Sequence, residues 1–108
     1  MYRATTPLHT FVFDINPASF KTILITYAQD DRIILEKNKD DLTIVQGTDG
    51  GKTVYEASLR LSQEESKMFN SCGSVKVQIR ALTYEDEALA SAKMTVNVLS
   101  VLNDEVLT

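Results

Sequence analysis

Apolar and polar side chains alternate in three separate stretches of this chain. From 75 to 81 (VKVQIRA), every second position holds a small or apolar residue, and the positions between hold Lys, Gln or Arg. Residues 55–61 and 94–98 show the same period of two. Because successive side chains of a β-strand point to opposite faces, this pattern predicts strands with one face in a core and the other in water.

Turn-forming residues separate these stretches from further apolar segments. Asn16-Pro17 and the glycine-rich segment 47–51 are turn signals, and glycine can adopt the positive φ of a tight hairpin. The short polar link 29–31 predicts a hairpin between its flanking strands. In total the pattern predicts about seven strands. They cover residues 8–15, 20–28, 32–37, 42–45, 53–61, 74–83 and 90–101.

A capping box at residues 62–65 (SQEE) predicts the one helix. The Ser62 hydroxyl can accept from the Glu65 amide while the Glu65 carboxylate reaches back to Ser62, so a helix of about two turns should follow and end near Phe69. It falls between the fifth and sixth strands, where immunoglobulin-like sandwiches carry the chain between sheets. We therefore predict an all-β fold, an antiparallel immunoglobulin-like β-sandwich of about seven strands with one short helix. A small β-barrel is the alternative.

The length of 108 residues is that of one domain, and such a chain can bury a core without a metal or a disulfide. We predict a single β-sandwich domain over residues 1–108, with a short N-terminal arm (1–7) and a C-terminal tail (102–108). The apolar sides of the alternating strands predict the core. Its members are Phe11, Phe13, Ile23, Ile25, Tyr27, Leu59, Leu61, Val77, Ile79, Val96 and Val98.

Charge and composition argue against nucleic acid and membrane as partners. The net charge is −4 and the basic residues are scattered, whereas binding to a phosphate backbone needs clustered Lys and Arg. No apolar run approaches the roughly 18 residues of a membrane span. The N-terminus lacks the apolar core of a signal peptide, and the single cysteine permits no intrachain disulfide. These features predict a protein made and kept in a cytoplasm, or assembled there into something larger.

Residues that carry chemistry in other proteins occur here in settings that predict no active site. Segment 47–53 (GTDGGKT) is one residue too short for a phosphate-binding loop and leads into a strand. His9 is the only histidine and has no companion ligands for a metal site. Cys72 follows a helix C-terminus, the wrong end to activate a thiol, and is read as a partly buried loop residue. The acidic pairs lie in predicted turns or, for Glu64-Glu65, at the start of the helix. We expect no enzyme activity, no cofactor and no metal.

The terminal segments are the best candidates for contacts with other proteins. The tail mixes apolar and acidic residues, and the arm carries an aromatic and a basic residue. Either segment could add to the sheet edge of a partner or clasp a neighbouring subunit, whereas fraying and folding back on the same domain are the alternatives. The predicted interaction residues are Tyr2, Arg3, Leu102, Asp104, Glu105, Val106 and Leu107.

Several segments, taken in order, carry a resemblance to a known group of proteins. They are residues 3–11, 33–37 with 40–42, 61–65, 77–80 and 102–107. With these segments the chain resembles, nearly end to end, a group of small uncharacterised proteins from tailed phages and prophages of Firmicutes. The resemblance carries no catalytic motif and no assigned site residues. It implies a phage origin and, by association, a virion or assembly protein.

Together these observations predict a non-enzymatic phage structural protein that acts through protein–protein contacts. It would be a virion accessory protein of the tail, baseplate or neck, or a capsid decoration, located in the virion and assembled in the bacterial host cytoplasm. The expected partners are the protein itself, as a homo-oligomer, and other virion proteins, with no nucleic acid and no membrane. The alternative is a small phage-encoded inhibitor that binds a host protein.

Overall fold

The computed structural model of the protein describes residues 1–70 and 73–108. Within these residues the chain forms eight strands and one short α-helix, with single-turn 3-10 helices at Pro17–Ser19 and Lys39–Asp41. The elements are, in chain order, β1 (Leu8–Phe13), β2 (Thr22–Gln29), β3 (Arg32–Asn38), β4 (Thr43–Asp49), β5 (Lys52–Arg60), α1 (Gln63–Lys67), β6 (Ser74–Leu82), β7 (Ala88–Ala90) and β8 (Met94–Asn97). The prediction of an all-β fold with one short helix is confirmed.

Two antiparallel sheets make up the sandwich. The first has the strand order β1-β5-β4. The second has the order β3-β2-β6, and β6 pairs over one half with β7 and over the other half with β8. Immunoglobulin-like sandwiches place strands A, B, E and D in one sheet and C, F and G in the other, with C′ added beside C in the variable type. The order β1-β5-β4 is the order of strands B, E and D in that topology. The closed barrel is wrong, because the strands form two separate sheets.

The predicted cap of the helix is confirmed. The Ser62 hydroxyl accepts a hydrogen bond from the Glu65 amide (3.1 Å), and the Glu65 carboxylate accepts one from the Ser62 amide (2.9 Å). Lys37 of β3 forms an ion pair with the same carboxylate and so ties α1 to the second sheet. Burial alone would raise the pKa of Glu65, but the hydrogen bonds from Lys37 and Ser62 and the charge of Lys37 lower it overall.

The core lies between the two sheets. Most of the predicted core residues are buried, and Phe11, Phe13 and Val96 are partly buried and pack against the others. The predicted core omits Phe20, Phe69 and Val75, which are also buried. Val75 lies in β6, whereas Phe20 and Phe69 lie outside the strands of the structure. Phe20 stood at the start of the predicted second strand, but on the face opposite to Ile23, Ile25 and Tyr27. Phe69 stood at the predicted end of the helix, so a period of two assigned neither residue to the core.

The predicted last strand, residues 90–101, is wrong as a single element. Within this range only Ala90, the last residue of β7, and Met94–Asn97, which form β8, lie in strands. The separate strand β7 raises the number of strands in the described residues to eight. Ser91 interrupts the ladder, because its hydroxyl accepts the hydrogen bond (3.0 Å) that the Ile79 amide would otherwise give to a strand carbonyl. The side chain of Ser91 therefore ends β7 and redirects the chain before β8.

The first two predicted strands also differ at their ends. Strand β1 ends at Phe13, so Ile15 is exposed instead of continuing the apolar face. The Asn16-Pro17 signal forms a 3-10 helix, in which the Asn16 side chain accepts from the Ala18 amide (3.0 Å). This turn delays the start of β2 to Thr22. Residues with a short polar side chain before proline favour such local turns over a strand.

Candidate functional site

The predicted interaction residues of the N-terminal arm lie beside the last strand of the second sheet. Tyr2 forms a parallel bridge with Leu99. The Leu99 amide donates to the Met1 carbonyl (2.7 Å), and the Arg3 amide donates to the Leu99 carbonyl (3.1 Å). The arm thus pairs with the segment directly after β8, while about half of the Tyr2 surface remains exposed.

Arg3 connects this arm to the helix and to the tail. Its guanidinium donates to the backbone carbonyls of Phe69 (2.8 Å) and Lys67 (3.1 Å) and to the carboxylate of Asp104 (2.8 Å). Carbonyls at the end of a helix lack intrahelical partners, and a cation there also interacts favourably with the helix dipole. The structure therefore brings together Arg3 and Asp104, two of the predicted interaction residues from opposite ends of the chain.

The C-terminal tail lies along α1 of its own domain. Gln63 holds it through two hydrogen bonds: its side-chain amide donates to the Leu107 carbonyl (2.9 Å), and its side-chain oxygen accepts from the Leu107 amide (2.7 Å). Val106 is half-buried, whereas Glu105 and the side chains of Leu102 and Leu107 are exposed. The tail is thus folded back, and its contact with a partner stays a prediction that concerns those exposed side chains.

We expect Arg3→Ala to lower the free energy of unfolding by about 1.5–3 kcal/mol, because hydrogen bonds to a charged group are lost and two helix-end carbonyls lose a donor. Arg32→Ala is the matched control, since Arg32 is exposed and its loss should change stability by less than about 0.5 kcal/mol. Urea denaturation of both variants measures the difference. Equal midpoints for the two variants would contradict the role given to Arg3.

One edge of strand β1 has no partner within residues 1–70 and 73–108. The strand pairs with β5 on one side only. The carbonyl of Pro7, directly before β1, accepts from the Leu61 amide (3.0 Å), so it points toward β5. Backbone groups alternate in direction along an antiparallel strand. The N–H and C=O groups of Leu8, Thr10 and Val12 therefore point away from β5, toward solvent.

An apolar groove runs beside this open edge, between β1 and the edge of the second sheet. It contains two adjoining cavities of about 360 and 260 Å³, which share Thr10, Phe11 and Met94 in their walls. Ile79 of β6 and Leu89 of β7 also line the first cavity, and both belong to the second sheet, whereas β1 belongs to the first. The lining of both cavities, as far as the structure describes it, contains no Lys, Arg, Asp or Glu. The groove therefore suits apolar side chains of a protein segment.

Among the described edge strands, β1 has the fewest features that prevent pairing with another chain. Edges are usually protected by charged side chains, proline, bulges or short length. Strand β3 carries the charged residues Arg32, Glu36 and Lys37, and its pairing with β2 contains a register shift. Strand β4 ends in the charged residue Asp49. Strands β7 and β8 are short. The six residues of β1 (LHTFVF) have none of these features.

The sequence pattern did not identify the residues that line this groove as interaction residues. The signal in the sequence is the absence of charge from residues 8–13, but that absence is equally typical of a central strand. Whether β1 is central or at an edge depends on its pairing with β5, which lies far away in the chain. The local pattern contains no information on that pairing.

His9 lies on the groove side of β1 and links the two sheets. Its Nδ1 is 2.7 Å from the hydroxyl of Tyr27 on β2, and the two rings are 5.6 Å apart between centroids. Burial, and to a smaller extent the N-terminal ammonium, lower the pKa of His9. Burial first, and then the charge of Glu65, raise the pKa of the Tyr27 hydroxyl. Both side chains are therefore neutral at neutral pH, and the pair acts as an inter-sheet hydrogen bond.

We expect the free energy of unfolding to fall as the pH drops from 7.5 to 5.5. The pKa of His9 is lower in the folded state than its value of 6.5 in the unfolded chain, so the unfolded chain binds more protons in this range and is favoured. The stabilisation that depends on neutral His9 is fully present above pH 6.5, and it is lost as the pH falls through the lower pKa of His9 in the folded state. Since His9 is the only histidine, His9→Gln should flatten the profile in urea denaturation. A slope unchanged by His9→Gln would contradict this assignment.

The other sequence candidates take ordinary structural places. The glycine-rich segment 47–51 forms the end of the β4–β5 hairpin, with positive φ at Gly50 (59°) and Gly51 (81°). Cys72 lies outside the described residues. Among the residues that the structure covers, no group of three or more His, Cys, Asp or Glu side chains is arranged to hold a metal ion. Over the same residues, no helix has the length and apolar character needed to cross a bilayer.

The sequence matches no protein-family model, and it has no significant match among curated proteins.

Proposed function

We propose that this protein is a non-enzymatic structural component of a phage particle that acts through contacts with other proteins. The observation that carries the proposal is the uncharged edge of β1, which pairs with no other strand among the described residues and lies beside an apolar groove. Extended segments of other chains add to such edges through backbone hydrogen bonds, and neighbouring pockets receive their side chains. The particle itself is proposed from the resemblance of the sequence to phage and prophage proteins.

The terminal segments supply a second surface for the same role. The two ends of the chain, which meet at the Arg3–Asp104 ion pair, carry four exposed apolar side chains: Tyr2, Leu99, Leu102 and Leu107. Clusters of exposed apolar residues with a charged rim are typical of protein-interaction surfaces. The proposed partners are further copies of the protein and other virion proteins of the tail, baseplate, neck or capsid surface. The protein is then located in the virion, after assembly in the bacterial host cytoplasm.

The test is incorporation into particles purified on a density gradient and analysed by quantitative mass spectrometry. Val12→Lys places a charge on the open edge of β1. Val45→Lys is the matched control, since Val12 and Val45 flank the same residue, Glu56, and are 65% and 57% exposed. We expect wild type and Val45→Lys in the particles at a fixed ratio, and Val12→Lys to be absent. Absence of the wild type would overturn the proposal, and binding to one host protein instead would support the inhibitor alternative.

A further inference from the structure

We propose that β1 pairs with β1 of a second copy of this chain, so that the two three-stranded sheets become one continuous antiparallel sheet. This inference rests on the proposed function, because it names the partner of the same open edge. It requires a two-fold axis perpendicular to the sheet, and therefore a surface that is complementary to itself. Backbone geometry, charge and apolar surface each meet that requirement.

The backbone geometry selects one register. The N–H and C=O groups that point away from β5 belong to the even-numbered residues Leu8, Thr10 and Val12. When Thr10 faces Thr10 of the second copy, Leu8 faces Val12, and all three residues of each copy form hydrogen-bonded pairs. A shift by two residues in either direction would place Val12 or Leu8 opposite Thr6 or Asp14, which lie outside the strand. The Thr10–Thr10 register thus uses every free backbone group of β1.

The distribution of charge favours the same register. Glu56 lies beside Val12 and Arg60 lies beside Leu8 on the outer face of the sheet. In the Thr10–Thr10 register, Glu56 of each copy shares a row with Arg60 of the other, across the Val12–Leu8 pair. Registers shifted by two residues would place Thr10 opposite Val12 or Leu8 and separate these charges into different rows. Two symmetric attractions between opposite charges therefore accompany this pairing, despite the net charge of −4 on each copy.

Arg60 is already held over the start of β1. Its guanidinium donates to the Thr6 carbonyl (2.8 Å), so the side chain crosses from β5 toward the open edge. The row spans three strand spacings, about 14 Å between the backbones of Glu56 and Arg60 of the second copy. The long side chains reach toward each other over that distance and cover the apolar pair between them.

The apolar surface is also complementary under the two-fold axis. Leu8 and Val12 are half or more exposed in the single chain, and each covers the other in the paired register. On the inner face, Phe11 lies opposite His9 of the second copy. The two grooves face each other across the axis, so that Leu89 and Met94 of each copy leave water. A second copy therefore satisfies the edge and the groove together.

A disulfide tests the register directly. Facing residues of a hydrogen-bonded antiparallel pair have Cα atoms about 5.5 Å apart, which is within the range of a disulfide. In a Cys72→Ser background, which removes the only native cysteine, Thr10→Cys should give a covalent dimer under mild oxidation. Thr43→Cys is the matched control, because Thr10 and Thr43 both flank Ser58 and are exposed. We expect the control to remain monomeric on a non-reducing gel, with circular dichroism showing both variants folded.

Sedimentation velocity of the wild type, over a range of micromolar concentrations, supplies the second measurement. We expect a dimer that Val12→Lys converts to a monomer and Val45→Lys leaves intact. A monomeric wild type, or cross-linking of Thr43→Cys as efficient as that of Thr10→Cys, would overturn the pairing. A wild-type monomer present in particles would leave the proposed function standing with a different partner, whereas a cross-linked dimer absent from particles would overturn the proposed function alone.

Discussion

Phe69→Ala should lower the free energy of unfolding by about 3–5 kcal/mol, the range for removal of a buried aromatic side chain that leaves a cavity. Phe69 is fully buried, and its ring packs at 5.9 Å between centroids against Tyr27. It follows α1 and belongs to the hydrophobic core cluster between the sheets. Urea denaturation followed by circular dichroism measures the loss.

The neighbouring residue supplies the control for this substitution. Met68 is about half exposed, so Met68→Ala should change stability by less than about 0.5 kcal/mol. A loss below about 1 kcal/mol for Phe69→Ala would mean that the ring is not part of the core. Similar losses for the two variants would instead indicate a general effect on the end of the helix.

Gln29→Met should lower the free energy of unfolding by about 2–4 kcal/mol, because the partly buried amide and carbonyl of Asn70 both lose their hydrogen-bond partner. The buried side chain of Gln29 accepts from the Asn70 amide (2.7 Å) and donates to the Asn70 carbonyl (3.0 Å), as a neighbouring strand would. Methionine has a similar length but can form neither bond. Gly73 packs against the same amide, since a Cβ on it would lie 2.7 Å from Gln29 Nε2.

The control for this second substitution is Gln46→Met on β4. Gln46 is exposed, so its replacement should change the unfolding free energy by less than about 0.5 kcal/mol. If the Gln29 and Gln46 variants have the same denaturation midpoint, the paired hydrogen bonds to Asn70 do not stabilise the fold. A clear difference would identify Gln29 as the residue that fixes the segment after α1 to the second sheet.

The alternating pattern predicted the strands and the faces that they bury, because both depend on side chains close together in the chain. Ile23, Ile25 and Tyr27 are buried as that pattern indicates. The division of the last strand was not predictable in this way, since Ser91 acts through its hydroxyl on Ile79 of another strand. The pattern also gave no weight to Phe69, which is not in a strand.

The candidate site was less accessible to sequence reasoning than the fold. The terminal residues stood out by composition, but the ion pair between Arg3 and Asp104 joins positions at opposite ends of the chain. The open edge of β1 follows from strand order, which depends on pairing between distant segments. Periodicity shows which way a side chain points and carries no information about which strand lies beside it.

The pairing of β1 with β5 has a consequence for how the protein is made. The β2–β3 and β4–β5 hairpins join neighbouring segments, whereas Leu8 pairs with Arg60 across most of the first half of the chain. During synthesis β1 leaves the ribosome before the other described strands, and it cannot pair with β5 until β5 has been translated. Contacts so distant in sequence form slowly, and uncharged apolar strands are prone to aggregate while exposed. The strand that gives the folded protein its open edge is therefore also the segment most in need of chaperone protection during biosynthesis.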